Sequence, residues 1–525
     1  MKTRIHFPSV LFPVLTGTTL LLAGCAVGPD FQRPAAPEAV AYTPGAAPTA
    51  TAPGSEPAQQ YDAAKEISAQ WWTLFQSPAL TALVDKALAA NPTLEAAQAA
   101  LRQAQENVEA QRGFFYPTIQ ASYSPSRTKV AGNNSGAAPG IQGDGSNIAA
   151  TTGKPADQGG TAPFTAPVIY NYHTAQLSVG FVPDVFGINR RMMEATEAQA
   201  ETQRYMLEAT YITLASNVVA AAIQEASLRA QIDAVKRMVA INARSLEILR
   251  RRQEAGYASG LDLALQQNQA AQVEQWLPPL NRQLEQTRNL LRVLTGNRPD
   301  QELAETFTLD TLHLPQSLPL SLPSHLVQQR PDIRAAEAQL HAASAQVGVA
   351  VANRLPQFAL TATMGGEAAH FGQMFSETGK FFSVIGTISQ TLFDGGVLRH
   401  RQRAAEAALD QAGAQYRATV LAGFQNVADT LHALQADAES VQAAVRAEQA
   451  AHKAYELARK QQAEGYSDTL TLLVAEQFWL QSSFTLTQNR AQRLGDTAAL
   501  FQALGGGWWN RDDVAVAAQN EQQAP

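Results

Sequence analysis

Two periodicities take turns along this chain, and they do so in the same order in both halves. From residue 174 to 181 apolar and polar positions alternate. Ala175, Leu177, Val179 and Phe181 fall on one side of an extended strand, with Thr174, Gln176, Ser178 and Gly180 on the other. Phe358, Leu360, Ala362 and Met364 alternate in the same way with Ala359, Thr361 and Thr363. Val384, Gly386 and Ile388 alternate with Ser383, Thr387 and Ser389. A shorter run, Ile119 to Tyr123, follows Pro117, whose fixed φ and missing N–H suit a helix stop and strand entry. An aliphatic side opposite a small hydroxyl side, over about ten residues, fits a membrane-spanning barrel strand with lipid outside and water inside. A half-buried soluble sheet has the same period. On the membrane reading, Leu177, Val179, Phe181, Leu360 and Met364 face lipid.

Around these strands the spacing predicts long helices. One runs from about Pro92 to Phe115. A second, from Arg190 to about Glu254, contains neither Pro nor Gly, and about 65 residues at ~1.5 Å each make a rod of roughly 95 Å. The stretch from Leu398 to about Glu464 repeats it, interrupted only by Gly413 and Gly423. Each rod ends in a turn, Gly256-Tyr257-Ala-Ser-Gly260 or Gly465-Tyr466-Ser-Asp468, and a second helix returns to about Leu294 or Leu504. Such limbs pack as antiparallel coiled-coil-like hairpins, and their Ala, Gln and Leu content permits close spacing. Pro278-Pro279 predicts a kink or side bulge in the first returning limb.

The order helix, strand, strand, long helix, turn, helix occurs twice. Asn91-Pro92-Thr-Leu-Glu-Ala-Ala-Gln-Ala-Ala-Leu101 recurs as Arg330-Pro331-Asp-Ile-Arg-Ala-Ala-Glu-Ala-Gln-Leu340, and the same offset carries Ala104 to Ala343, Val108 to Val347 and Pro117 to Pro356. Val185-Phe186-Gly187 answers Leu392-Phe393-Asp394-Gly395, and Gly256-Tyr257 answers Gly465-Tyr466. The chain therefore reads as two copies of one unit, residues 61–300 and 301–509.

The N-terminus adds an address. Lys2 and Arg4, an apolar run and a small-residue exit make residues 1–24 a secretory signal. The exit Leu22-Ala23-Gly24-Cys25 resembles a bacterial lipobox, with Cys25 as the lipidated first residue of the mature chain. Residues 25–60, rich in Pro, Ala, Thr and Gly from Phe31 onward, read as an extended linker, and 510–525 as a disordered tail. Cys25 is the only cysteine, which excludes a disulfide framework and a thiolate-cluster metal site. Only 16% of residues are charged against 45% apolar, so part of the surface does not face water. A net charge of −7 without a basic block argues against nucleic acid as a ligand. The nine histidines show no metal-ligand spacing and there is no phosphate loop or nucleophile elbow. No catalytic residue, metal or cofactor is expected.

Four strands cannot close a barrel in lipid, so the chain must oligomerise. Two copies give eight strands and a filled bore; three give twelve and a lumen that holds water. A barrel continued by long helices is a conduit. The connections at about Lys129 to Ala166 and Gly365 to Lys380 then lie outside the cell.

Val27-Gly28-Pro29-Asp30-Phe31 after the lipobox, Trp71-Trp72-Thr-Leu-Phe75, Phe181-Val-Pro-Asp-Val-Phe-Gly187 and the paired Gly-Tyr turns resemble the TolC-like outer membrane efflux factor family, in its lipoprotein (NodT-type) branch. The resemblance implies an α+β membrane protein: a homotrimer with a twelve-stranded β-barrel on a periplasmic α-barrel of helical hairpins, lipid-anchored in the outer membrane. It implies a passive export duct for drugs or other small toxic compounds, driven through a periplasmic adaptor by an inner membrane pump of the resistance-nodulation-division type. It places a periplasmic constriction at Leu470 and puts Val474 where relatives carry a gate Asp, leaving Asp468, Glu464, Asp262 and Glu254 to supply charge near the mouth. It places adaptor docking at Gly256, Tyr257, Gly260, Gly465 and Tyr466, the tyrosines either bonding across helices or simply packing. Two other readings stay open: the outlet of a type I protein secretion system, and a lipid-anchored coiled-coil tether without a pore.

Overall fold

The computed structural model describes residues 26–35, 41–44, 49–52, 57–63, 65–130, 168–511 and 514. The signal segment, Cys25, the connection 131–167 and nearly all of the tail lie outside the described residues. In chain order the strands are β1 (Gln60–Asp62), β2 (Thr118–Val130), β3 (Val168–Phe181), β4 (Ser317–Pro319), β5 (Gln357–Ala368) and β6 (Lys380–Ser389). The helices are α1 (Pro78–Ala90), α2 (Pro92–Arg112), α3 (Ile188–Glu254), α4 (Gly260–Glu274), α5 (Leu277–Leu294), α6 (Pro323–Gln329), α7 (Pro331–Ala352), α8 (Val397–Ala463) and α9 (Thr469–Ala503). They build two compact units. One comprises Met1–Phe31, Gln105–Ala198 and His341–Asp410, the other Gln32–Ala104, Gln199–Leu340 and Gln411–Pro525.

The first unit is centred on an antiparallel sheet in the order β2-β3-β5-β6. Its strands outrun the alternation that announced them. β2 continues to Val130, so Lys129 belongs to the strand and not to the following loop, and β5 continues to Ala368. Backbone pairing carries on where the side chains turn polar, and side-chain period does not report backbone pairing. The connection from β5 to β6 is correspondingly tight and contains a 3₁₀ turn at Phe371–Phe375.

The helices start where proline allows. Pro78, Pro92, Pro323 and Pro331 open α1, α2, α6 and α7, at positions whose N–H has no intrahelical partner. Asn91 Oδ1 accepts from the Thr93 N–H at 2.9 Å and completes the cap of α2. The helix expected over Pro92 to Phe115 tightens into a 3₁₀ turn at Gly113–Phe115. α3 and α8 are each 67 residues long, about 100 Å of helix. Gly423 does not break α8: a Cβ there would stand 3.1 Å from Ile333 Cδ1, so the small residue admits the start of α7. The first returning limb is interrupted at Gln275-Trp276, next to Pro278-Pro279, and resumes as α5.

The second unit has a core of ordinary kind. Trp71, Trp72 and Phe75, on a 3₁₀ turn, are almost completely buried with Leu80, Leu83 and Val84 of α1 and Val218, Val219 and Ala222 of α3. Trp71 stacks on Phe501 of α9 at 5.2 Å between ring centres. α3 is long and apolar enough to cross a bilayer by length and composition, yet 56% of its most apolar stretch is buried within the protein. β1 pairs in parallel with β4 beside this core. Gln59, fully buried, donates to Pro315 O at 3.0 Å and to Thr497 Oγ1 at 3.1 Å, and accepts from Arg493 Nε at 3.1 Å. The N-terminal segment is thus held at single polar anchors, which leave no period for a sequence reading to detect. Asn510 and Arg511 are held as well, by Ile67 O at 2.8 Å and Glu208 at 2.8 Å. A separate cluster packs Val235 and Met238 of α3 against Val273 of α4 and Leu473 and Leu480 of α9.

Candidate functional site

Three places carry the residues singled out by the sequence: the sheet, the segment after Cys25, and the two hairpin turns. In the sheet the register decides the facing, because residues paired across an antiparallel ladder share a side. Ala121, Leu177, Met364 and Phe382 form one row, Ile119, Val179, Ala362 and Val384 the next, and Phe181, Leu360 and Gly386 a third. All five lipid-side expectations therefore fall on one face, and the two strands with the weakest alternation, β2 and β6, contribute to it. The opposite rows are polar, for example Gln120, Ser178, Thr363 and Ser383. β6 departs from the pattern, carrying Phe381 and Ile385 on the polar side.

Much of the apolar face is exposed among the described residues, although the 3₁₀ turn covers it at Gly366 and Ala368. Val384 and Ile388 are 68% and 69% exposed, and Phe382 is 83% exposed. At the end of the sheet away from the helices, Tyr123 Oη lies 3.0 Å from His173 Nδ1, and Phe371 meets both rings edge-on. β2 and β6 each have a single partner, so both outer edges of the sheet present unpaired backbone groups among the described residues.

Cys25 itself lies outside the described residues, but the segment directly after it is clamped. The buried Arg191 guanidinium donates to Val27 O at 3.1 Å, to Asp30 at 2.7 Å and to Glu194 at 2.8 Å. Glu194 also meets His341 Nε2 at 2.9 Å, and Phe31 stacks on the His341 ring at 4.3 Å. Gly28 has φ +97° and lies so close to Gly348 that a Cβ would come within 2.4 Å of its Cα. The chain beyond the lipidation position has one path. Sequence inspection missed this clamp, since nothing in the spacing of Asp30 and Arg191 joins them.

The two hairpin turns have the same construction. Gly256 and Gly465 take left-handed conformations, φ 79° and 80°, with nothing near a hypothetical Cβ, so conformation alone requires glycine. The Tyr257 N–H reaches back to Arg252 O at 2.7 Å and the Tyr466 N–H to Gln461 O at 2.8 Å, each closing a Schellman turn. The next helix is capped at equivalent positions. Ser259 and Asp262 form a capping box before α4, and Asp468 caps α9, accepting from the Thr471 N–H at 2.9 Å.

These caps decide what the acidic candidates do. Asp262 is held below the usual carboxylate range by the Ser259 backbone N–H and hydroxyl, and Asp468 by the Thr471 N–H and hydroxyl and then by Arg252. Both serve helix starts. Glu254 and Glu464 are exposed, without an ion-pair partner among the described residues. Tyr257 and Tyr466, 85% and 82% exposed, neither bond across the helices nor pack in the core of this chain. Next to the turns the two hairpins are joined by Arg252 and Asp468, at 3.0 Å, and further along by Gln488 Nε2 donating to Gln231 Oε1 at 3.2 Å.

Leu470 is half-buried, whereas Leu473 is the leucine that enters the hairpin core. Val474 is exposed and shares a helix face with Leu470 and with exposed Phe478. Leu261 and Leu265, also exposed, stand at the matching positions of α4. They escaped the sequence reading, although the offset relating Tyr257 to Tyr466 points straight to them. No group of three or more His, Cys, Asp or Glu able to hold a metal occurs among the described residues.

A four-stranded sheet with an exposed apolar face and open edges, in a chain that also carries two helices of about 100 Å, marks a membrane channel protein. The family model described as "Outer membrane efflux protein" matches residues 83–297 and again 322–506, and the chain belongs to that family. It is an outer membrane efflux protein. It is 30% identical over 527 residues to the toluene efflux pump outer membrane protein TtgF of Pseudomonas putida, covering 99% of this chain and all of the relative. The pyoverdine export outer membrane protein OpmQ of Pseudomonas putida is 28% identical over 443 residues, 84% of this chain and 88% of the relative. Among solved structures, the outer-membrane channel OprN superposes with a TM-score of 0.76 at 26% identity, covering 92% of this chain and all of that one. The Campylobacter jejuni CmeC outer membrane channel gives a TM-score of 0.78 at 21% identity, covering 95% and 98%, and so shares the fold.

Proposed function

We propose that three copies of this chain form a passive export duct, a twelve-stranded β-barrel continued by a periplasmic α-barrel, anchored to lipid through Cys25. The observation that carries this reading is the four-strand register: one continuous apolar face, one polar face and two open edges. An open edge in hydrocarbon is untenable, and a twelve-stranded closure gives the polar rows a water-filled lumen to line. The internal duplication supports the same architecture, since the family model matches each half separately.

On this reading the duct supplies no energy. It receives small toxic compounds from an inner membrane pump of the resistance-nodulation-division type through a periplasmic adaptor, which docks at the turns around Gly256, Tyr257, Gly260, Gly465 and Tyr466. Curated relatives named for toluene efflux and pyoverdine export favour small molecules over the secreted proteins of a type I system. The exposed Leu261, Leu265 and Val474, with half-buried Leu470 beside Val474, close the periplasmic end, and the Arg252–Asp468 pair holds the two hairpins of one chain together there. Glu254 and Glu464 give the mouth its negative charge.

The test is the detergent-corrected mass of the purified mature protein, with the intact chain mass read at the same time. A complex of three chains, each carrying acyl groups on Cys25, is expected. A stable monomer overturns the barrel, and an unacylated chain overturns the anchor alone.

A further inference from the structure

The outer end of β2 carries unexplained charge on the sheet's apolar side. By the parity that puts Ile119, Ala121 and Tyr123 on that side, Arg127 and Lys129 stand on it too, paired with Asn171 and Ile169 of β3. The intervening Ser124, Ser126 and Thr128 take the polar side, which has no cation on β2. Both cations are exposed, and among the described residues neither meets a carboxylate. Lys380, on the same side at the start of β6, is already paired with Glu377.

Tyr123, His173 and Phe371 mark where the apolar band ends, since aromatic girdles sit at the interface of membrane barrels. Arg127 lies four residues past Tyr123, about 13 Å along the strand, and Lys129 about 7 Å further. With the strand tilted by about 40°, the two lie roughly 10 and 15 Å beyond the girdle along the membrane normal, in the polar layer outside the hydrocarbon. At the end of the sheet remote from the helices it is the headgroup layer of the outer leaflet. Cations aimed sideways there, and not into the lumen, face lipid phosphates.

We propose that Arg127 and Lys129 form a binding site on the outer wall of the barrel for a phosphorylated glycolipid, a molecule with two phosphates to meet two cations on one strand face. The site rests on the lipid-facing side of the sheet being the apolar one. It gives each copy a lateral grip on the outer leaflet, complementing an acyl anchor that holds only the inner one.

The experiment is lipid retention by the full-length assembly in phosphatidylcholine nanodiscs doped with bisphosphorylated lipid A or with phosphatidylglycerol, read by native mass spectrometry. Wild type is expected to retain lipid A in preference to phosphatidylglycerol. Arg127→Gln and Lys129→Gln should each lower that retention about fivefold, the factor of one cation at an anionic membrane surface. The exchange Ser126→Arg with Arg127→Ser keeps the charge but turns it to the lumen, and should lose as much as Arg127→Gln. Unchanged retention in these variants, or equal retention of phosphatidylglycerol, overturns the site. Facing is read separately from Leu177→Arg and Gln176→Arg in undoped discs. If both impair assembly equally, the facing and the site fall together; if only Leu177→Arg does so, the lipid A result judges the site alone.

Discussion

The sheet of the first unit and the core beneath Trp71 in the second use the same apolar residue types in opposite ways. Phe75, Leu80 and Val218 are fully buried in protein, whereas Phe382, Val384 and Ile388 stand out from the sheet, exposed among the described residues. In the core, burial from water stabilises the fold at about 25 cal/mol per Å² of apolar surface. On the sheet the same side chains gain nothing from each other's company. They are favourable only where lipid replaces water, and there the backbone of an open edge has no solvent to bond to, which is the physical ground for the closure by further copies proposed above. The difference teaches that exposure has no meaning for this protein until the surrounding solvent is named.

The comparison breaks first in the core. Phe75→Ala should cost about 3–5 kcal/mol by cavity and lost transfer, seen as a lower unfolding midpoint of the helical signal in any detergent. Survival of that midpoint would mean that the ring is not a packing anchor. On the sheet, Leu177→Arg should cost about 2–4 kcal/mol at mid-membrane depth, while Gln176→Arg costs clearly less. Yield of the assembled oligomer in membranes reads the contrast, and equal losses would reverse the facing.

The hairpin tips lie between these extremes, exposed in this chain and, in the proposed trimer, covered by further copies. Leu470→Ser should raise the conductance of the closed duct in planar bilayers with little effect on folding, since Leu470 is not the residue that enters the hairpin core. An unaltered conductance would leave it as a contact between helices.

The smallest effect concerns pH. Asp437 of α8 faces Asp496 of α9, and burial and then the Asp496 carboxylate push Asp437 up to about 7, against Arg493. A folded-state value above the ordinary 3.8 means that the folded protein holds the extra proton. The contribution is therefore complete below about 3.8 and is lost as pH rises towards 7. Wild type should be more stable at pH 5.5 than at pH 8, and Asp437→Asn should remove the difference, about 1 kcal/mol once screening by water is allowed for. The same pH slope in the variant would place its origin elsewhere.

Much of the architecture was legible in residue order. Pro92 and Pro331, Gly256 and Gly465, and the rods between them located the helices and turns to within a few residues, because glycine and proline act through local backbone geometry. Period alone put Leu177, Val179 and Phe181 on one side of β3, and Leu360 and Met364 on one side of β5. The clamp of Asp30 on Arg191, the Gln59 anchor and the short β1–β4 pair were not legible. Each joins segments far apart in the chain through one or two polar contacts, and such contacts impose no pattern on either partner. The acidic residues had a local role that their position near the turns did not announce: Asp262 and Asp468 accept from the orphan N–H groups of their own helices, and stay charged while doing so.

The sequence by itself determined the elements, their order and the apolar side of each of the two central strands, since these follow from short-range sterics and from side-chain alternation over a few residues. Only the tertiary structure decided which rows join into one apolar wall, which path the chain takes beyond Cys25 and which tip residues remain bare. Those depend on register and on long-range polar contacts, and both are settled by packing between segments hundreds of residues apart.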